Sequence, residues 1–211
     1  MTNNASPEIA SRSLDNVKVL GGVGSILALL AFLPVVGIVI SIVGLILVLV
    51  ALKYASDVLG DPRIFNDMLY AVVLGIVGIV VGIVGVAAFV YRAIGLRYLS
   101  SPYAYTPTAY APGDVMGTIG TVLIGIVAIW ACFLVSSIFL RRSYDELGNR
   151  LNVNLFGTAA VIYLIGAVLT IVLIGFLLIF VAEVLLIAAF FSINTQLPPR
   201  PPSVLPAQSS I

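Results

Sequence analysis

Residues 19–52 read VLGGVGSILALLAFLPVVGIVISIVGLILVLVAL, 34 positions without one Asp, Glu, Lys or Arg. An ion at the centre of a bilayer costs several kcal/mol, so membrane segments exclude charge, and a gap this long marks hydrocarbon. One helix over the whole gap would be about 51 Å long at ~1.5 Å per residue, against a hydrocarbon core of about 30 Å. Tilt does not absorb that difference. The chain therefore turns inside the gap, and Pro34 fixes where, because proline removes a backbone donor and disfavours helix in the residue before it. Residues 32–37, FLPVVG, separate two helices.

Three more charge-free stretches follow: 68–91 (24 residues), 115–140 (26) and 151–182 (32), with apolar character continuing past Glu183 to Ile193. The two shorter ones are single spans. The last again needs a turn, and Gly175 is the expected place. The pattern predicts an all-α, polytopic transmembrane bundle of about six segments, at 14–33, 36–57, 64–97, 115–146, 153–174 and 176–194. Both terminal pairs are tight hairpins whose tips hold almost no polar residues. Turn backbone cannot stay unpaired in lipid, so the tips either reach the interface or are covered and re-entrant. In domain terms, 1–13 is a polar N-terminal tail, 14–194 the membrane domain and 195–211 a Pro-rich tail.

Composition agrees. Charged residues are 9% of the 211 positions and hydrophobic ones 61%, with a mean hydropathy of +1.20, where soluble domains carry about 25% charge. The net charge of +1 leaves no basic surplus for nucleic acid. With no His and only Cys132, imidazole chemistry, intramolecular disulfides and most metal sites are excluded. No HExxH, GxSxG, Walker loop or pair of span aspartates is present, so neither an enzyme nor a cofactor is expected.

Six crossings place Arg12, Lys18, Lys53, Arg63, Arg141, Arg142, Arg150 and Arg200 on one side and only Arg92 and Arg97 on the other. The positive-inside rule makes the first side cytoplasmic, with both termini inside. Arg92 and Arg97, flanked by Tyr91 and Tyr98, snorkel to headgroups. The segment 100–114 lies outside, and its Tyr103, Tyr105 and Tyr110 form an interfacial belt. Five prolines in 197–211 favour an extended tail. The sequon Asn4-Ala5-Ser6 is silent on the cytoplasmic side, and the first apolar run is too long for a cleaved signal peptide.

Two stretches look alike at a spacing of 88: Asp57-Val58-Leu59-Gly60-Asp61 recurs as Asp145-Glu146-Leu147-Gly148-Asn149, and Asn66 falls on Asn154. Gly60 and Gly148 suit left-handed helix ends, and Asp61 before Pro62 suits an N-cap followed by a first helical residue. The terminal hairpins match loosely at a different spacing, 138, with residues 33–56 lying over 171–194. The two spacings do not describe one duplication.

At ALKYASDVLGDPRIFNDMLYAVV (51–73) and SYDELGNRLNVNLFGTAAVIYLIGAVLTIVLIGFLLIFVAEVLLIAAFFSI (143–193) the chain resembles the archaeal integral membrane proteins grouped as domain of unknown function 996. The resemblance runs over roughly 19–193, and Ser56, Asp57, Ile64, Phe65, Asn66, Ser143 and Gly148 are its distinctive positions. It implies an archaeal cytoplasmic membrane and brings no activity.

Few residues are candidates for function. Glu183 is the one carboxylate expected inside a span; if buried it would carry a proton or bind a cation, and otherwise it sits at the hairpin interface or stays neutral against a carbonyl. Gly75, Gly78, Gly82 and Gly85 make one helical stripe with a GxxxG pair, suited to packing within the bundle or to a homodimer, with Gly117 and Gly120 as partners. Cys132 and Trp130 are packing residues. The expected role is a non-enzymatic scaffold, accessory subunit or membrane-organising protein, partnered by the lipid bilayer and by other membrane proteins or itself. The alternative is a small-solute or ion transporter that uses Glu183.

Overall fold

The computed structural model describes residues 7–33, 37–94 and 112–195. The expectations for Pro34, for 95–111 with Arg97 and its tyrosines, for the sequon and for the tail beyond 195 fall outside them. Among the described residues every regular element is helical: α1 Pro7–Leu29, α2 Gly37–Leu59, α3 Pro62–Ile94, α4 Pro112–Leu151, α5 Asn154–Leu169 and α6 Ile174–Phe191. All six are long and apolar enough to cross a membrane.

Several boundaries differ from those expected. α1 begins at Pro7, a residue pre-shaped for a first helical position, rather than near residue 14. α4 runs on past Glu146 to Leu151. The second hairpin turns before Gly175, not on it: a 3-10 turn at Thr170–Val172 is followed by left-handed Leu173, φ 65°. The first hairpin closes through a 3-10 turn at Leu30–Phe32, and Leu33 is extended, as the residue before a proline should be. These turns satisfy their own backbone. Leu33 and Leu173 donate N–H groups to the carbonyls of Leu30 (2.9 Å) and Thr170 (3.0 Å), and the Thr170 hydroxyl donates to Gly166.

Each helix packs on its chain neighbours, and α6 returns to α1, so the six close into a ring. The core lies at the end where α2 meets α3 and α4 meets α5. Val17, Leu52, Ile64, Leu147, Phe156 and Phe190 are fully buried there. Phe156 and Phe190 meet edge-on at 4.9 Å, and Tyr144 stacks on Phe156 at 6.0 Å. Away from that end the packing thins: along α3 buried Ile64, Met68 and Ala71 give way to exposed Ile76, Ile79 and Ile83, and along α4 buried Leu147 and Tyr144 give way to exposed Ile126, Ile124 and Ile119.

Glycines set the hairpin spacing. A Cβ on Gly44 would collide with the Gly24 carbonyl, one on Gly37 with the Leu30 carbonyl, and one on Gly175 with the Gly166 carbonyl. Gly37 and Gly175 correspond at the spacing of 138, and the same register puts buried Val48, Ala51 and Leu52 over buried Leu186, Ala189 and Phe190. The likeness of the terminal hairpins is therefore one of packing as well as of composition.

Candidate functional site

The turn between α2 and α3 is built as its sequence implies. Gly60 is left-handed at φ 67°, Asp61 N–H donates to the Ser56 carbonyl at 3.1 Å, and the Ser56 hydroxyl donates to the Asp61 carbonyl at 2.9 Å. The Asp61 carboxylate then caps α3, accepting the Arg63 N–H at 3.0 Å. That N–H, opposed by partial burial and aided by Arg150, holds the Asp61 carboxyl below its ordinary range. Arg150 bridges to Asp61 at 2.8 Å and to Glu146 at 2.8 Å.

The second copy of the motif does not repeat this geometry. Gly148 and Asn149 are inside α4, and the left-handed residue is Asn152, φ 55°, one helical turn later. Val153 N–H donates to the Gly148 carbonyl at 2.9 Å, closing the turn that Asp61 and Ser56 close in the first copy. Apart from that carbonyl, Gly148 serves close approach: a Cβ there would press on the Val153 carbonyl at 3.0 Å and on Phe156 at 3.1 Å. Asn149 caps nothing, since the residue preceding α5 is Val153, without a side-chain cap. Asp57 pairs with Lys53 at 2.6 Å and Asp145 with Arg141 at 3.3 Å. Asn66 and Asn154 are exposed. The motif residues are thus helix punctuation and surface pairs, and they do not converge on a cavity.

The glycine stripe faces α4. Added Cβ atoms at Gly75, Gly78 and Gly82 would touch Ser136 (3.7 Å), Cys132 (3.3 Å) and Ile129 (3.4 Å), while Gly85 meets nothing within 4 Å. Gly117 and Gly120 also face open space, so Ser136, Cys132 and Ile129 take the partner role expected of them. The seam is locked by the Ser136 hydroxyl on the Ala71 carbonyl (2.7 Å) and by the Ser143 hydroxyl on the Ile64 carbonyl (2.6 Å). Trp130 Nε1–H reaches from α4 to the Ala167 carbonyl of α5 at 3.2 Å, and Lys18 Nζ reaches from α1 to the Ile193 carbonyl at 3.3 Å.

Glu183 sits on α6 beside the buried stripe of Ile179, Ala182, Leu186 and Phe190. It is half-buried, in electrostatic range of the hydroxyls of Tyr144 on α4 and Tyr163 on α5. Among the described residues it has no hydrogen bond or ion pair. Neither tyrosine nor Ser136 was singled out from the sequence, where a lone mid-span hydroxyl carries no address; Ser143 was marked only as a distinctive position of the resemblance.

The family described as a protein of unknown function, DUF996, matches residues 40–184, a span that includes both loop motifs and Glu183. The chain belongs to that family. An uncharacterised protein from Methanocaldococcus jannaschii is 29% identical over 184 residues, which is 87% of this chain and 95% of that one. No solved structure matches. Membership in DUF996 agrees with the resemblance carried by Ser56, Asp57, Asn66 and Gly148, and it attaches no activity to them.

Proposed function

We propose that this protein is a non-enzymatic accessory or organising component of an archaeal cytoplasmic membrane, with both termini inside. One observation carries the role: the polar side chains that cross between helices, Ser136, Ser143, Trp130, Lys18 and Arg150, each fasten one helix to another and frame no shared cavity. Such fasteners make a rigid apolar body, which suits a scaffold. The location rests on the charge asymmetry, with eight basic residues on one side and two on the other, and on the archaeal relative. Extraction from native membranes into polymer nanodiscs, followed by mass determination, tests the role. A reproducible companion at fixed stoichiometry supports it, and a lone chain counts against it.

A second role, transport of a proton or small cation, is favoured by Glu183, a carboxylate beside the buried stripe of α6 with no ion-pair partner among the described residues. Proteoliposome flux in wild type and Glu183→Gln separates the two. Loss of a pH-dependent flux on substitution supports transport, and no flux in either protein rejects it.

A further inference from the structure

The helices that share a turn are unequal. α2 and α3 leave the Gly60–Asp61 turn with 23 and 33 residues, and α5 and α4 leave the Asn152–Val153 turn with 16 and 40, α5 gaining three more in its 3-10 turn. At ~1.5 Å per residue, α3 outruns its hairpin by about 15 Å and α4 by about 31 Å. An independent marker gives the same direction and a shorter overhang, about 13 Å at ~1.5 Å per residue. Trp130 is held at the level of Ala167 by its hydrogen bond, which puts Leu173 about 9 Å beyond that level and the end of the charge-free part of α4 about 22 Å beyond it.

The overhanging part of α3 and α4 is apolar and uncovered. Val86 is 62% exposed, Val90 43%, Met116 75% and Ile124 74%, and the first charges met are Arg92 and Asp114. Aqueous solvent would not tolerate that surface, so it lies in hydrocarbon. The hairpin tips below it then lie in hydrocarbon too. Their described residues suit it: Phe32, Leu33, Leu173 and Ile174 are exposed there, and the N–H groups of Leu33 and Leu173 are taken up by the 3-10 turns.

We infer that only α3 and α4 reach the outer surface, that both terminal hairpins turn back within the hydrocarbon layer, and that acyl chains of outer-leaflet lipid fill the notch above their tips. A shallow groove on α3, formed by Ile79, Gly82, Ile83, Val86, Ala87 and Val90 with no polar side chain, runs from beside the end of α2 up into the notch, where Val86, Ala87 and Val90 line it. A groove of that composition offers no hydrogen-bond partner and suits a flexible alkyl chain. The protein is then a wedge, six helices wide toward the charged end and two wide at the other. An even number of crossings is kept, so both termini remain on one side.

Nitroxide depth measurement tests this with the full chain in phosphatidylcholine–phosphatidylglycerol vesicles. Labels are placed at Phe32→Cys and Ile174→Cys, both exposed positions, and at Met116→Cys, in a Cys132→Ser background. The expected result is dominant collision with oxygen over a water-soluble nickel chelate at both tips, with the tips deeper than Met116. Collision with the chelate at the tips would place them at the aqueous surface and overturn the topology. Collision with neither reagent would show protein covering the tips and overturn lipid as the occupant. A helical circular dichroism spectrum and a thermal midpoint matching those of the Cys132→Ser parent show that each labelled chain has folded.

Discussion

Arg150 and Asp61 lie 89 positions apart in the chain and join at 2.8 Å, tying the end of α4 to the start of α3. Asp61 does more than pair. It also caps α3 through Arg63 N–H, so its loss removes a cap as well as the bridge, whereas Arg150→Ala removes the bridge and a weak, exposed i,i+4 pair with Glu146. Asp61→Ala is therefore expected to lower the thermal midpoint in detergent more than Arg150→Ala. The double variant should lose less than the sum of the two, because the residues share one interaction. Equal losses that add would disprove the coupling.

The same carboxylate sets a pH dependence. Its folded value lies below the ordinary 3.8, chiefly through the Arg63 N–H. A depressed carboxyl contributes stability that is complete above the unfolded value and fades as pH falls through the folded one. The midpoint difference between wild type and Asp61→Asn should be constant from neutral pH to about 5 and shrink below 3.8. A difference that instead grows on acidification would place the proton elsewhere.

Glycine positions divide sharply. Gly175→Ala and Gly37→Ala force a Cβ into the backbone of the opposing hairpin arm, whereas Gly85→Ala meets open space. Overpacking of that kind costs about 1–3 kcal/mol, and the Gly85 change should be neutral. Gly78→Leu is expected to wedge α3 from α4 within one chain, since Cys132 lies 3.3 Å from the added Cβ. Unfolding free energies in mixed micelles check the ranking.

The fasteners and the rings differ in weight. Ser143→Ala removes one interhelical hydrogen bond, worth about 0.6 kcal/mol in a membrane protein. Phe190→Ala empties a site where two rings meet it, at 4.9 Å from Phe156 and 6.3 Å from Tyr144. Lipid contact offsets part of the transfer term but none of the cavity, so about 2 kcal/mol or more is expected. Comparable losses for the two variants would contradict the view that ring packing holds the closed end.

Much of this architecture was legible from charge alone. The gap at 19–52 and Pro34 required a hairpin, and Asp61 before Pro62 required a cap, because hydropathy, proline and capping act over a few residues. Gly60 kept the role assigned to it, but Gly148 did not: Asn152 tolerates the left-handed conformation nearly as well, and closure one turn later brings Phe156 against Phe190. Which of two permissible residues ends a helix is decided by what packs beyond it.

By itself, the sequence determined that six apolar helices form, roughly where they stop and which end carries the charge. Tertiary structure alone decided that α6 closes on α1, that the glycine stripe is covered by α4, that Arg150 finds Asp61, and that Glu183 stands near two tyrosines. The reason is physical. In hydrocarbon, a face that meets lipid and a face that meets another helix are built from the same Ile, Val, Leu and Gly. Their difference lies in shape matched across the bundle, and no local pattern records it.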